Sequence, residues 1–103
     1  MATTVRCFFL DGLVSINGTA VPKMPWLSRS VVDAAGAPLT ADAAPAKCTH
    51  VLIQVPRDCA VLFDLTPPQF PRDADQDSMR LEGGQHIYPC GPGWLLSFLD
   101  NTD

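Results

Sequence analysis

The stretch THVLIQVPRDCAVLFDL, residues 49–65, decides the fold class of this 103-residue chain. Apolar side chains occupy the odd-numbered positions from Val51 to Val55 and from Cys59 to Leu65, and this period of two is typical of a β-strand with one apolar face. Because proline and aspartate favour turns, we expect two antiparallel strands folded back at Pro56-Arg57-Asp58, with Val55 opposite Cys59. That register places every odd-numbered side chain on one buried surface and predicts a β core.

Composition favours one modest domain that spans residues 1–103. Charged residues make up 17% and apolar residues 47% of the chain, which excludes a disordered protein. The ten prolines and seven glycines argue against a helical protein. We therefore expect a single all-β domain.

The net charge of −4 is concentrated in the second half, where residues 51–103 hold eight of the eleven acidic groups. No basic face for nucleic acid is visible. The apolar run near the start is interrupted by Arg6 and Asp11, so it predicts neither a secretion signal nor a membrane span. The chain is expected to be made in the cytosol.

The four cysteines are scattered, and none forms a CxxC pair. They are Cys7, Cys48, Cys59 and Cys90. Neither a zinc site nor a disulfide framework is expected from this spacing. We interpret the cysteines as small apolar core residues or surface thiols.

Short strands recur along the rest of the chain. Residues 4–10, TVRCFFL, favour a strand with bulky side chains on both faces, and Asn17-Gly18 between two apolar arms predicts a tight hairpin. The closing run WLLSFL, residues 94–99, is also apolar on both faces. Seven or eight short antiparallel strands with long Pro/Ala-rich loops predict a β-sandwich or jelly-roll-like domain.

Residues 22–46 form the longest of these predicted loops. The segment holds four prolines, with one short apolar run at Val31-Val32, so we expect an extended loop or arm with about one strand. One hypothesis is that it reaches a neighbouring subunit, with Trp26 and Leu27 as anchors. The equally open alternative is that Trp26 fills the core of its own chain.

Two groups of residues suggest metal binding or catalysis, and the first is an acidic loop. Asp73, Asp75 and Asp77 alternate as in a calcium loop, but Ser78 and Gly84 stand where an EF-hand needs glycine and glutamate, so a solvated acidic loop is favoured.

The predicted central hairpin also sets His50 opposite Asp64, a pair that could orient an imidazole for general-base catalysis or serve only as a cross-strand contact. His86 could join His50 as a metal ligand in a cupin-like barrel. We favour the structural pair, no cofactor and no enzymatic activity.

Residues 49–103 also resemble small β-sandwich structural proteins of tailed bacteriophage virions. Three short motifs carry the resemblance: Asp64-Leu65-Thr66-Pro67, Leu81-Glu82-Gly83-Gly84 and Leu96-Ser97-Phe98-Leu99. The resemblance implies a head decoration or cement protein that binds the major capsid protein, or another virion protein, as a dimer or trimer. It implies no shared catalytic residues.

Apolar side chains are the expected contacts of such a protein. The candidate interface residues are Phe8, Trp26, Leu27, Tyr88 and Trp94. Two other functions stay open: a baseplate or fibre-associated module that binds a host-surface sugar through Trp26, Tyr88 and Trp94, and a small cupin-like metal-binding or ligand-binding domain.

Overall fold

The computed structural model describes residues 3–22, 25–34, 39–70 and 72–101. Its described residues form strands and connections without a helix, and so include no helix able to cross a membrane. The strands are β1 (Thr4–Leu10), β2 (Leu13–Ile16), β3 (Thr19–Pro22), β4 (Ser28–Asp33), β5 (Leu39–Thr40), β6 (His50–Thr66), β7 (Met79–Pro89) and β8 (Leu95–Asp100). All pairings are antiparallel, so the prediction of an all-β antiparallel fold is confirmed.

Strand β6 organises the main sheet because it pairs with three other strands. Its first half pairs with β1, its second half pairs with β8, and β7 runs along both halves. The sheet extends from β1 to β4 and from β8 to β5, in the order β4-β1-β6-β8-β5. Six strands therefore form one sheet, while β2 and β3 form a separate two-stranded sheet.

The predicted hairpin within residues 49–65 is wrong, because β6 is one continuous strand of 17 residues. The segment Pro56-Arg57-Asp58 lies in a bulge. There the register with β7 shifts between Val55 and Ala60. Pro56 has no N–H to donate, and a bulge is one of the few places in a sheet where that donor is not needed.

The bulge allows β6 to bend. A straight strand of 17 residues would span roughly 50 Å at the usual rise per residue, whereas the longest dimension of the molecule is 37 Å. Bulges bend the strand that contains them and increase its twist. The two halves of β6 can therefore face one common interior.

The main core lies in this interior, and the odd-numbered residues of both halves of β6 contribute to it. This predicted apolar alternation is confirmed, although the register that accompanied it is wrong. The contributors from β6 are Val51, Ile53, Val55, Val61 and Phe63. Phe63 stacks on Phe98 of β8 at 5.3 Å between ring centroids and contacts Tyr88 of β7 at 5.4 Å. These contacts join β6 to its neighbours β7 and β8 within the main core.

The hairpin predicted at Asn17-Gly18 is confirmed. It connects β2 to β3, and the two turn residues have φ angles of 52° and 81°. Glycine adopts such angles without a steric penalty, and asparagine tolerates them better than most residues.

The segment 22–46, predicted as a long loop with about one strand, contains both β4 and β5. Its described residues bond to the chain's own sheet: Leu27 N–H donates to the Phe9 carbonyl, and Ala41 N–H donates to the Leu96 carbonyl. Residues 23, 24 and 35–38 of the predicted arm lie outside the described residues. Two strands, β6 and β7, are also much longer than the short strands expected.

Candidate binding surface

The outer face of the sheet, formed by β4, β1, β6 and β7, carries the side chains that point away from the main core. Cross-strand pairing aligns Arg29, Phe8, Leu52 and Ile87 in one row across the four strands. The next row aligns Val31, Arg6, Gln54 and Gln85. We call the surface made by these two rows, with Trp26 and Leu27, the outer face.

An aromatic contact forms the centre of the outer face. The rings of Phe8 and Trp26 tilt against each other at 4.8 Å between centroids, a geometry that aromatic pairs favour. Phe8, Leu10 and Leu52 are buried in a small second cluster, to which Leu13 adds cover. The large side chains on the outer side of β1 are thus buried mainly by residues of the same chain.

The chain leaves part of the apolar outer face exposed to solvent. Trp26 keeps 41% of its surface exposed and Val31 keeps 53%, and Leu27 and Ile87 are exposed to similar extents. A small cavity of about 180 Å³ is lined by Phe8, Trp26, Arg29 and Leu52, among others. Trp26 therefore packs on its own chain and still offers an apolar edge to a partner.

Tyr88 and Trp94 lie away from this surface. Both are half-buried and pack against the main core. The Tyr88 hydroxyl donates to Met79 Sδ at 3.4 Å. Of the five candidate interface residues, the structure brings together Phe8, Trp26 and Leu27 only.

The acidic loop has a local structure of its own. Arg72 donates to both carboxylate oxygens of Asp75, at 3.0 and 3.1 Å, and the Asp77 N–H donates to Asp75 Oδ1 at 2.9 Å. These bonds hold the pKa of Asp75 below its ordinary value. Among the described residues, no group of three His, Cys, Asp or Glu side chains is arranged to hold a metal ion.

The predicted pair of His50 and Asp64 is wrong, because the two residues belong to opposite halves of one strand. His50 lies opposite Leu10 and Pro89, whereas Asp64 lies opposite Ser97. Asp64 instead accepts a hydrogen bond of 2.6 Å from the Ser78 hydroxyl and lies 3.5 Å from Arg72 Nε.

His86 does not join His50 either. It lies opposite Ile53, a residue of the main core, while His50 lies opposite Leu10 on the outer side of the sheet. Nε2 of His86 lies 2.8 Å from the Glu82 carbonyl oxygen. The two imidazoles thus have separate surroundings.

All four cysteines are free thiols, as the sequence favoured. Cys7, Cys48 and Cys90 are buried, and Cys59 is half-buried. Burial raises the pKa of the Cys7 thiol to about 12. Burial, together with the nearby Cys48 thiol, raises the pKa of Cys90 to about 12. The buried cysteines behave as small core residues.

A second, more polar cavity of about 360 Å³ was not anticipated. It opens where the outer face meets the bulge of β6, and Arg6, Gln54, Arg57 and Gln85 contribute to its walls. The dipeptide Gly83-Gly84 in β7 was the available signal, since glycine inside a strand often marks a bulge or a close backbone approach. Arg6 and Arg57 come together through pairing between strands that are distant in sequence, so no local sequence pattern indicates it.

Comparisons with models of known protein families, with curated proteins and with solved structures give no match for this chain.

Proposed function

We propose that this chain is a non-enzymatic structural protein of a phage virion, a decoration or cement protein that binds the head shell as a dimer or trimer. In this proposal the curved sheet is the scaffold of a β-sandwich-type domain, and the outer face is the adhesive surface. The observation that carries the proposal is the exposed edge of Trp26 beside Phe8.

The outer face has the make-up of a protein contact. Large apolar side chains lie side by side at its centre, and Arg6 and Arg29 occupy the same two rows. Aromatic and arginine side chains are enriched at the centres of protein interfaces, and contiguous exposed apolar patches mark interaction sites. A rigid sheet presents such a patch with little loss of conformational entropy on binding.

The geometry favours this function over the two alternatives. A sugar-binding platform built from Trp26, Tyr88 and Trp94 would need these rings on one surface, whereas Tyr88 and Trp94 pack against the main core. A cupin-like centre would need His50 and His86 together, and they lie on different sides of the sheet.

Light scattering coupled to size-exclusion chromatography tests the adhesive surface. We expect a dimer or trimer for the unmodified chain and a shift towards monomer for Trp26→Ser. The matched control is Phe70→Ser, because Phe70 is an aromatic residue that is 69% exposed in the turn after β6. A monomer at all concentrations, or an equal shift with Phe70→Ser, would contradict self-association through the outer face.

Mass spectrometry of purified particles tests the virion assignment separately. We expect the chain in a fixed ratio to the major capsid protein, retained after the particles are washed in high salt. Its absence from the particles would contradict the assignment even if the protein is oligomeric.

A further inference from the structure

The polar cavity beside the bulge differs in character from the apolar centre of the outer face. Its volume is about 360 Å³, and its walls include Arg6, Gln54, Arg57, Gln85 and the glycine pair Gly83-Gly84. No residue of this lining is acidic. In a chain of net charge −4, this cavity joins two of the seven basic side chains without an acidic one.

Both arginines are available to a ligand. Arg6 and Arg57 have exposed side chains, and neither is in an ion pair with a carboxylate among the residues that the structure describes. By contrast, Arg72 and Arg80 pair with Asp75 and Glu82. An unpaired guanidinium retains five N–H donors for an incoming acceptor.

The register fixes where these donors lie. Arg6 of β1 pairs with Gln54 of β6, and Gln54 pairs with Gln85 of β7, so the three side chains form one row on the outer face. Neighbouring strands lie about 4.8 Å apart, so the row spans roughly 10 Å. Arg57 joins the row from the bulge. Two arginines and two glutamines thus contribute to one opening.

Glycine keeps the opening free of side chains on the β7 side. A Cβ at Gly83 would clash with the carbonyl oxygens of Arg57 and Pro56, so β7 touches the bulge backbone at this point. The adjacent Gly84 has φ +132°, and a Cβ built there meets no atom within 4 Å. The space beside Gly84 remains open.

We propose that this cavity binds an oxyanion, a carboxylate or phosphate group held by the guanidinium groups of Arg6 and Arg57, with Gln54 and Gln85 donating from their amides. The planar guanidinium matches the two oxygens of either group, and such charge-assisted hydrogen bonds are stronger than neutral ones. The cavity volume of about 360 Å³ is large enough for a small polyanion. The proposal does not depend on the virion assignment, although Arg6, Gln54 and Gln85 also belong to the outer face.

Titration of the full chain with inorganic phosphate, and separately with succinate, tests the proposal by backbone amide chemical shifts at constant ionic strength. We expect saturable shifts at Gly83, Gly84 and Gln85, and the tighter of the two ligands identifies the source as phosphate or carboxylate. The paired substitution Arg6→Gln with Arg57→Gln should weaken binding about tenfold or more. Both side chains are exposed, so this variant should keep the fold, which its thermal midpoint checks.

The control is Arg80→Gln, which removes one positive charge outside the cavity. Binding that weakens equally in this control would reflect net charge alone and would overturn the site. Absence of saturable shifts with both ligands would overturn it as well, as would tight binding by the double variant.

Discussion

Burial divides the four cysteine side chains into two classes with different reactivity. Alkylation proceeds through the thiolate, and a pKa raised to about 12 leaves very little thiolate at neutral or mildly alkaline pH for Cys7 and Cys90. Burial also raises the pKa of Cys48. Cys59 is half-buried beside the bulge and is the accessible thiol of the set.

We therefore predict that iodoacetamide labels Cys59 first in the folded protein, with Cys7, Cys48 and Cys90 labelled only after unfolding. Peptide mass spectrometry after timed alkylation measures the order. Labelling in concentrated guanidinium chloride, where all four should react, is the control. Cys7 reacting as fast as Cys59 in the native state would show that the main core opens readily.

Residue identity alone located some of these features and missed others. The interpretation of the cysteines as small core residues or surface thiols agrees with the burial of Cys7, Cys48 and Cys90. The alternating aspartates were interpreted as a solvated acidic loop rather than a calcium loop. The contacts of Asp75 with Arg72 and with the Asp77 N–H were not predictable, because they depend on how the loop folds. Arg6 and Arg57 are 51 positions apart, so no local pattern could show that they line one cavity.

At the level of elements, the bulge of β6 depends on Gly83 of β7. Replacing Gly83 with alanine would place a Cβ against two backbone carbonyl oxygens, which cannot rotate away as a side chain could. Forcing an atom into such a contact costs about 1–3 kcal/mol. We predict that Gly83→Ala lowers the free energy of unfolding by about this amount, as measured by chemical denaturation.

Gln85→Ala serves as the control for this experiment, because Gln85 is exposed on the same strand. It should change the free energy of unfolding by about 0.5 kcal/mol or less. Native stability in Gly83→Ala would mean that the bulge backbone moves freely, contrary to the close contact described above.

The sequence predicted the period of β6 but not its continuity. A hairpin and a bent strand both bury one face of the segment, so both require apolar residues at the odd-numbered positions. Pro56-Arg57-Asp58 is compatible with a turn and with a bulge. The choice depends on pairing with β1, β7 and β8, which are distant in sequence. The hairpin at Asn17-Gly18 was predictable because its turn chemistry is local.

At the scale of the whole molecule, the two halves of β6 share one core. Val51 and Ile53 from the first half of β6 belong to the same cluster as Val61 and Phe63 from the second half. Separate unfolding of either half would expose the interior of the other. A small domain of this kind is expected to unfold in one cooperative step.

The two tryptophans provide probes for this expectation, since Trp26 lies on the outer face and Trp94 packs against the main core. In each of the variants Trp26→Phe and Trp94→Phe, we predict that the remaining tryptophan fluorescence and far-ultraviolet circular dichroism change with the same denaturation midpoint. Fluorescence of Trp26 that changes before the circular dichroism would show that the outer face opens independently of the core.

The all-β architecture was predictable at this scale because strand period, glycine, proline and the absence of long helical segments all favour it. The strand order was not predictable, since β6 selects three partners across the chain. The position of the aromatic contact between Phe8 and Trp26 follows from the strand order and from the backbone hydrogen bond that Leu27 N–H donates to the Phe9 carbonyl.

Strand β7 pairs with β6 alone among the described strands, which leaves the backbone of its second side without a neighbouring strand. An exposed edge strand of this length can pair with strands of other chains and so form fibrils. The glycine pair interrupts its regularity, Pro89 removes a donor at its end, and Arg80 with Glu82 adds charge. The glycine pair that borders the cavity therefore also helps to protect the protein against amyloid-like growth.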